Sequence, residues 1–100
     1  MKTRNKSYKD YGFTEGEARR LKIFCRSEEF TKDDEFLLWE ASDMSNPTIK
    51  KYIYDSIKKK TSYDQMSKRD YIPIGKKDFY GYQRLCLSHM RRLLIERERW

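Results

Sequence analysis

Residues 76–96 have the sequence KKDFYGYQRLCLSHMRRLLIE, which contains no proline and keeps one helical period over about six turns. Its apolar side chains recur at intervals of three and four residues, the spacing that places them on one face of an α-helix. That stripe consists of Phe79, Tyr82, Cys86, Met90 and Leu93. The stretch therefore predicts a long amphipathic helix from about Lys76 to Glu96, with this stripe in the core.

The opposite side of the same helix combines charge with aromatic and polar side chains. Its residues are Lys77, Tyr80, Arg84, Ser88 and Arg91, so a basic residue recurs every seven positions. At a rise of ~1.5 Å per residue this line is ~21 Å long, enough to lie across a DNA major groove ~12 Å wide. An ordinary surface helix also turns its charges toward solvent, so the pattern leaves both interpretations open.

Shorter helices are predicted upstream from capping signals. The helix-start signals are Thr14 with Glu17, Thr31 before an acidic turn, Asn46-Pro47, and Ser62 with Gln65. They predict helices that end near residues 26, 45, 60 and 68. Each helix has an apolar face that we expect to point inward. In chain order these faces are Ala18, Leu21 and Cys25 in the first helix; Leu37, Leu38, Ala41 and Met44, widened by Phe36 and Trp39, in the second; Ile49, Ile53 and Ile57 in the third; and Tyr63 and Met66 in the fourth.

These elements predict an all-α fold, a small single-domain bundle of about five helices. We expect residues 1–12 to form a basic flexible arm and residues 13–100 to form one helical domain. Within it, residues 13–45 are an acidic two-helix support, and residues 46–100 are a basic part that resembles a helix-turn-helix.

Composition excludes several classes of protein. The chain has 100 residues, of which 39% are charged and 37% hydrophobic, so only one small core is possible. The longest apolar run, residues 36–39, is far too short to span a bilayer, so we expect no membrane association and a cytoplasmic protein.

Catalysis is not expected from the residue types present. Cys25 and Cys86 show no metal-ligand spacing, and the single histidine, His89, borders the apolar stripe of the last helix. No glycine-rich phosphate loop occurs. We therefore expect no enzyme activity, no metal and no cofactor.

Charge is distributed unevenly along the chain. The formal net charge of +7 divides into +3 for residues 1–12, −4 for 13–45, +4 for 46–75 and +4 for 76–100. Such asymmetry favours a polyanion-binding face on the second half, although lysine-rich surfaces are also common without any such partner.

The order of the last helices adds a resemblance. A supporting helix, a short capped helix and a longer basic helix follow one another as in a helix-turn-helix. Residues 62–66, SYDQM, look like the opening of the promoter-binding part of sigma factors, and residues 74–80, IGKKDFY, resemble the entry to the recognition helix of phage late transcription regulators of the ArpU and RinA type. The whole chain also looks like short prophage proteins of Gram-positive bacteria. The resemblance implies a DNA-binding regulator of transcription.

Double-stranded DNA is thus the predicted partner, with the helix at 76–95 as recognition helix. The residues predicted to lie nearest the bases are Lys76, Lys77, Tyr80, Gln83 and Arg84, because arginine can pair with guanine and glutamine with adenine. The residues predicted to contact phosphates are Lys50, Lys51, Lys58, Lys59, Lys60 and Arg91. Lys2, Arg4 and Lys6 of the arm could follow the minor groove.

A second hypothesis is a non-enzymatic, phage-encoded module that binds a protein. Its acidic first half could face a basic host protein, RNA polymerase or another, and that binding would inhibit or redirect the partner. A homodimer is a further possibility, with Trp100, Leu94 and Ile95 as contact residues, although Leu94 and Ile95 could equally pack on the first half of the chain.

Overall fold

The structure, a computed structural model, describes residues 5–100, which form five α-helices and no strand. A short 3₁₀ turn at Lys9–Tyr11 precedes them. The helices are α1 (Glu15–Cys25), α2 (Lys32–Ser45), α3 (Lys50–Lys58), α4 (Tyr63–Ser67) and α5 (Lys76–Glu96). The all-α prediction is confirmed, and α5 has the predicted bounds.

The described part of the predicted arm packs against the domain. Lys2 and Arg4 lie outside the described residues. Within residues 5–12, the ring of Tyr8 lies 5.0 Å from that of Phe13, which is buried. Gly12 turns the chain there with a φ of 83°, a conformation that favours glycine. The aromatic side chains Tyr8 and Tyr11 of this segment therefore pack on the core, and its flexibility stays a prediction.

Side-chain caps begin three of the helices. Thr31 with Asp34 and Ser62 with Gln65 form reciprocal capping boxes before α2 and α4. Thr14 accepts a hydrogen bond from the backbone N–H of Glu17 at 3.0 Å, which caps α1. The carboxylate of Glu17 does not return to Thr14, because it accepts from the Nε of Arg91 and from the indole N–H of Trp100 instead.

Helix α3 begins later than predicted. The Oδ1 atom of Asn46 accepts a hydrogen bond from the backbone N–H of Thr48. The asparagine side chain thus stabilises a turn at this place. Pro47 and Thr48 belong to this turn, and the first helical residue is Lys50. The predicted start at Asn46-Pro47 is therefore a turn before the helix.

Helix α5 is the centre of the fold, because it packs against all four other helices and shares its most extensive interface with α2. It has more buried side chains than one stripe can supply. Its buried residues are Phe79, Gly81, Gln83, Leu85, Cys86, Leu87, Met90 and Leu94. Of the stripe predicted to lie in the core, Tyr82 and Leu93 are only half-buried, whereas neighbouring helices cover further sides of α5.

Small residues of α2 face α5. Ala41, Ser42 and Ser45 are buried, and Ser42 lies 3.5 Å from the sulfur of Cys86. Each serine hydroxyl donates to a carbonyl one turn earlier, at 2.8 Å, so no buried hydroxyl lacks a partner here. Met44, Phe36 and Trp39, which were predicted to face inward, are exposed to 49, 68 and 38%. The correction has a steric reason: close approach of two helices requires small side chains between them.

The C-terminal segment is fastened to the first two helices. Arg99 donates to both carboxylate oxygens of Asp34, and Trp100 packs on the ring of Phe24 at 5.7 Å. Leu94 is fully buried within the domain's own core. Of the three residues predicted as a dimer contact, Leu94 is therefore unavailable and Trp100 is engaged within the chain.

Asp34 makes this contact pH-dependent. Burial alone would raise the pKa of its carboxyl group, but hydrogen bonds from Arg99 and Thr31 outweigh burial and hold the pKa below its usual value. A lowered folded-state pKa stabilises the fold above the unfolded value of about 3.9, and this stabilisation is lost as pH falls through the folded value. We expect Asp34→Asn to lower the free energy of unfolding at neutral pH, and the difference from wild type to shrink below about pH 4.

Chemical denaturation across pH 2–7 measures this difference. Asp33→Asn is the matched control, because Asp33 is exposed and lies in the same helical turn. A difference between wild type and Asp34→Asn that stays constant down to the lowest pH would contradict the assignment.

Candidate nucleic-acid interface

Helix α1 presents a basic face that follows from its own periodicity. Ala18, Leu21 and Cys25 face the core, and the helix leaves Arg19, Lys22 and Arg26 on another side at intervals of three and four residues. Arg19 is exposed, whereas Lys22 and Arg26 are half-buried.

Arg84 of α5 lies near these three basic residues, Arg19 and Lys22 of α1 and Arg26 directly after its end. Burial is the main cause that lowers the pKa of Lys22, and the positive charges of Arg26, Arg84 and Arg19 lower it further. Lys22 is therefore within electrostatic range of three other cations, Arg19 of α1, Arg26 at the end of α1 and Arg84 of α5. We call Arg19, Lys22, Arg26 and Arg84 the basic cluster.

Arg26 ties the basic cluster to the end of α3. Its Nε donates to the carbonyl of Ile57 at 2.7 Å, and its Nη2 donates to that of Ser56 at 3.4 Å. The last carbonyls of a helix lack intrahelical partners and bear partial negative charge, so a guanidinium is favourable there. Lys59 and Lys60 directly follow this helix end and extend the positive surface.

Tyr80 of α5 lies next to the start of α4. Its hydroxyl accepts a hydrogen bond at 3.1 Å from the backbone N–H of Tyr63, the first residue of α4. Lys77 and Arg84 lie one turn before and one turn after Tyr80 on the same side of α5, and Lys77 is exposed. The predicted grouping of Lys77, Tyr80 and Arg84 on one helix side is thus present, and it continues into the basic cluster.

Within the described chain, Arg19, Lys22 and Arg26 form no ion pair. Across residues 5–100, the ion pairs use other lysines and arginines and include none of Arg19, Lys22 and Arg26. Glu15 lines the same shallow grooves as Arg19, Lys22 and Arg84, so one acid lies near these cations without forming an ion pair with Arg19, Lys22 or Arg26.

Gln83 does not face the surface, contrary to the sequence prediction. It is 6% exposed, and its Nε2 donates to the hydroxyl of Ser56 at 3.0 Å. That hydroxyl in turn donates to the carbonyl of Ile53. Gln83 therefore belongs to a buried polar network beneath the basic cluster and cannot reach a base.

The other predicted contact residues have diverse surroundings. Arg91 pairs with Glu17 at 2.8 Å and lies over the ring of Phe13, so its charge is already neutralised. Ion pairs also engage Lys50 with Asp43, Lys58 with Glu35, Lys59 with Asp55 and Lys76 with Asp64. Lys51 and Lys60 are exposed. Of these ion pairs, those of Lys59 and Lys76 are the most exposed and restrain a cation least.

The sequence prediction missed Arg19, Lys22 and Arg26. Residues 13–45 have a net negative charge, and this sum conceals three basic residues on one side of α1. Their spacing of three and four residues was the available signal. What the spacing could not show is that α1 lies beside Arg84 of α5.

Other reactive side chains offer no site. Burial raises the pKa of the Cys25 and Cys86 thiols to about 12, so neither is an activated nucleophile at neutral pH. Burial and the charge of Arg92 lower the pKa of His89. Among residues 5–100, no three His, Cys, Asp or Glu side chains group so that they could hold a metal ion. Nor does any helix in this part of the chain combine the length and apolar character needed to cross a membrane.

The fold and this surface define a small all-helical protein with a basic face built from α1, α5 and the end of α3. Comparison with protein-family models, with curated proteins and with solved structures found no match to this chain.

Lys22 lies at the centre of the basic cluster, where burial first and the neighbouring positive charges second lower its pKa. We expect Lys22→Gln to raise the melting temperature at low salt, with a gain that shrinks as salt screens the repulsion. Because its pKa is lowered in the folded state, wild-type stability rises with pH from that lowered value toward the unfolded value of 10.5. Lys22→Gln has no ionisable group at this position, so its stability lacks this rise with pH.

Differential scanning fluorimetry at two salt concentrations and several pH values tests the effect. Lys32→Gln is the control, because Lys32 is exposed and lies on α2. A lower melting temperature for Lys22→Gln at low salt would show that Lys22 stabilises the fold.

Gln83 should contribute to stability and not to DNA contact. We expect Gln83→Ala to lower the free energy of unfolding by about 1–3 kcal/mol, because it removes a buried hydrogen bond. Urea unfolding measures this loss, with Ser88→Ala on the same helix as the control. An unchanged free energy of unfolding, together with weaker DNA binding, would restore Gln83 as a contact residue.

Proposed function

We propose that this protein binds double-stranded DNA through the basic cluster and the adjoining start of α5. The observation that supports the proposal most is the convergence of four cations from α1 and α5, three of them without an acidic partner. Phosphate groups would relieve their mutual repulsion, and released counterions would add to the affinity.

The proposed contacts are mainly to the phosphate backbone. Arg19 and Lys22 are the foremost candidates, because they lie on α1 without an ion-pair partner; Lys59 and Lys60 extend the contact. Arg84 is positioned by a hydrogen bond of 2.6 Å from its Nε to the backbone carbonyl of Lys6. This places the N-terminal segment against the same surface.

Sequence readout is confined to the first turns of α5. The centre of α5 is buried, so a groove-filling recognition helix over its whole length is incompatible with this packing. Lys77 is exposed and Tyr80 is half-buried at its entry. The proposal therefore replaces base recognition along 76–95 with phosphate binding by α1 and limited base contact near Lys77.

Regulation of transcription is the biological role that we attach to this proposal, in line with the resemblance to phage late regulators. The proposal involves no catalytic step. It also predicts a modest preference among DNA sequences, because phosphate contacts position a protein without distinguishing bases.

Titration of a mixed-sequence duplex of about two helical turns, at a series of salt concentrations, tests the proposal. We expect the wild type to bind with a strong salt dependence. Arg19→Ala with Lys22→Ala should weaken binding at least about tenfold at low salt and reduce the slope of log K against log salt by roughly 0.9 per lost phosphate contact.

The matched control is Lys32→Ala with Arg97→Ala, which removes the same charge from exposed positions outside the basic cluster. Equal losses in the two double variants would show that net charge alone attracts the DNA. Absence of binding at low salt, or tighter binding of the single strand than of the duplex, would also overturn the proposal.

A further inference from the structure

Tyr8 lies where two shallow surface grooves meet beside the basic cluster. One groove is lined by residues 5–8 together with Glu15 and Arg84. The other is lined by residues of α1, among them Glu15, Arg19 and Lys22, and again by Tyr8. The side chain of Tyr8 therefore adjoins the cation of α5 in one groove and the cations of α1 in the other. We call these two grooves the Tyr8 grooves.

The segment around Tyr8 holds this side chain in place. Its ring lies 5.0 Å from that of Phe13, which is buried. Its carbonyl accepts hydrogen bonds from the backbone N–H groups of Tyr11 at 3.0 Å and Phe13 at 3.1 Å. One residue earlier, the backbone N–H of Ser7 donates to the Oδ2 of Asp10 at 2.7 Å. The side chain is thus positioned before a ligand arrives, which lowers the entropic cost of binding.

The hydroxyl of Tyr8 can donate a hydrogen bond into the Tyr8 grooves. Tyr8 is half-buried, and no group of residues 5–100 forms a hydrogen bond with its hydroxyl. Burial is the main cause that raises the pKa of Tyr8, while the charge of Arg84 lowers this pKa and that of Glu15 raises it. Because the net shift is upward, the hydroxyl keeps its proton at neutral pH and is available as a donor.

We propose that the hydroxyl of Tyr8 donates a hydrogen bond to a DNA phosphate held by the cations beside it. This inference rests on the proposed DNA binding and adds an uncharged contact to it. The free oxygens of a phosphodiester only accept hydrogen bonds, so a phenol donor between basic side chains matches them. A hydrogen bond to a charged acceptor is also stronger than one between two neutral groups.

The charge of the Tyr8 grooves favours an anion, although one acid is present. Glu15 is exposed and lines both grooves, so its carboxylate would repel a phosphate. Four basic side chains line the same grooves, namely Lys6, Arg19, Lys22 and Arg84. The excess of positive charge therefore outweighs Glu15, which limits the affinity for DNA without reversing the sign of the ligand.

The variant Tyr8→Phe tests the hydroxyl alone, by titration of the mixed-sequence duplex at a series of salt concentrations. We expect binding to weaken about three- to tenfold at each salt concentration, because one hydrogen bond to a phosphate is lost. The slope of log K against log salt should stay as in the wild type, since a neutral donor releases no counterion. Phenylalanine keeps the ring packed on Phe13, so the melting temperature should not change.

Tyr11→Phe is the matched control. The hydroxyl of Tyr11 is buried and has no hydrogen-bond partner within the described residues, so it cannot contact a ligand. This variant should bind DNA as the wild type does. Glu15→Gln tests the groove from the opposite direction: it should strengthen binding at low salt, and the gain should shrink as salt screens the repulsion that it removes.

Three results would overturn the inference. They are equal binding by Tyr8→Phe and the wild type, an equal loss in Tyr11→Phe, and a loss in Tyr8→Phe that comes with a shallower salt slope. The last result would show that Tyr8 acts by holding a cation in place. In each case the wild type still binds the duplex, so the proposed DNA binding stands. Absence of wild-type binding at low salt would instead remove the DNA proposal, and this inference with it.

Discussion

The close packing of α2 against α5 is the constraint on which the other features depend. Ala41, Ser42 and Ser45 allow the two helices to approach, and the serine hydroxyls remain satisfied because they donate to carbonyls of their own helix. This contact turns the large side chains of α2 outward and buries the middle of α5. The exposed aromatic side chains of α2 follow from this contact, and so do the parts of α5 that its neighbours leave accessible, which belong to the proposed DNA-binding surface.

Ion pairs between distant parts of the chain neutralise part of its charge. Arg91 of α5 pairs with Glu17 of α1, and Arg99 of the C-terminal segment pairs with Asp34 of α2. These two ion pairs connect segments that are far apart in the sequence, and the charges in them are neutralised. Within residues 5–100, Arg19 and Lys22 of α1 are in no ion pair, and neither are Asp33 and Glu40 of α2.

Local signals in the sequence were sufficient for most of the helices. The capping boxes at Thr31 and Ser62 and the limits of α5 could be predicted, because caps and period are properties of neighbouring residues. The start of α3 was misplaced, since Asn46 stabilises a turn as readily as a helix start. Leu37, Leu38 and Ala41 of the predicted inner stripe of α2 are buried, but Met44 is exposed, because close packing against α5 favours the small Ser45 in the last turn. Arg19, Lys22 and Arg26 could not be grouped with Arg84, because that grouping depends on the tertiary position of α1.

The two buried thiols also make the opening of the domain measurable. Cys25 lies in α1 and Cys86 in the central α5, and burial leaves almost no thiolate on either at neutral pH. Alkylation can then occur only from conformations in which a helix has left the core. Modification of Cys25 would report detachment of α1, whereas modification of Cys86 would require separation of α2 from α5. The ratio of the two rates is consequently a direct measure of whether this domain unfolds as one cooperative unit or peripheral helix first.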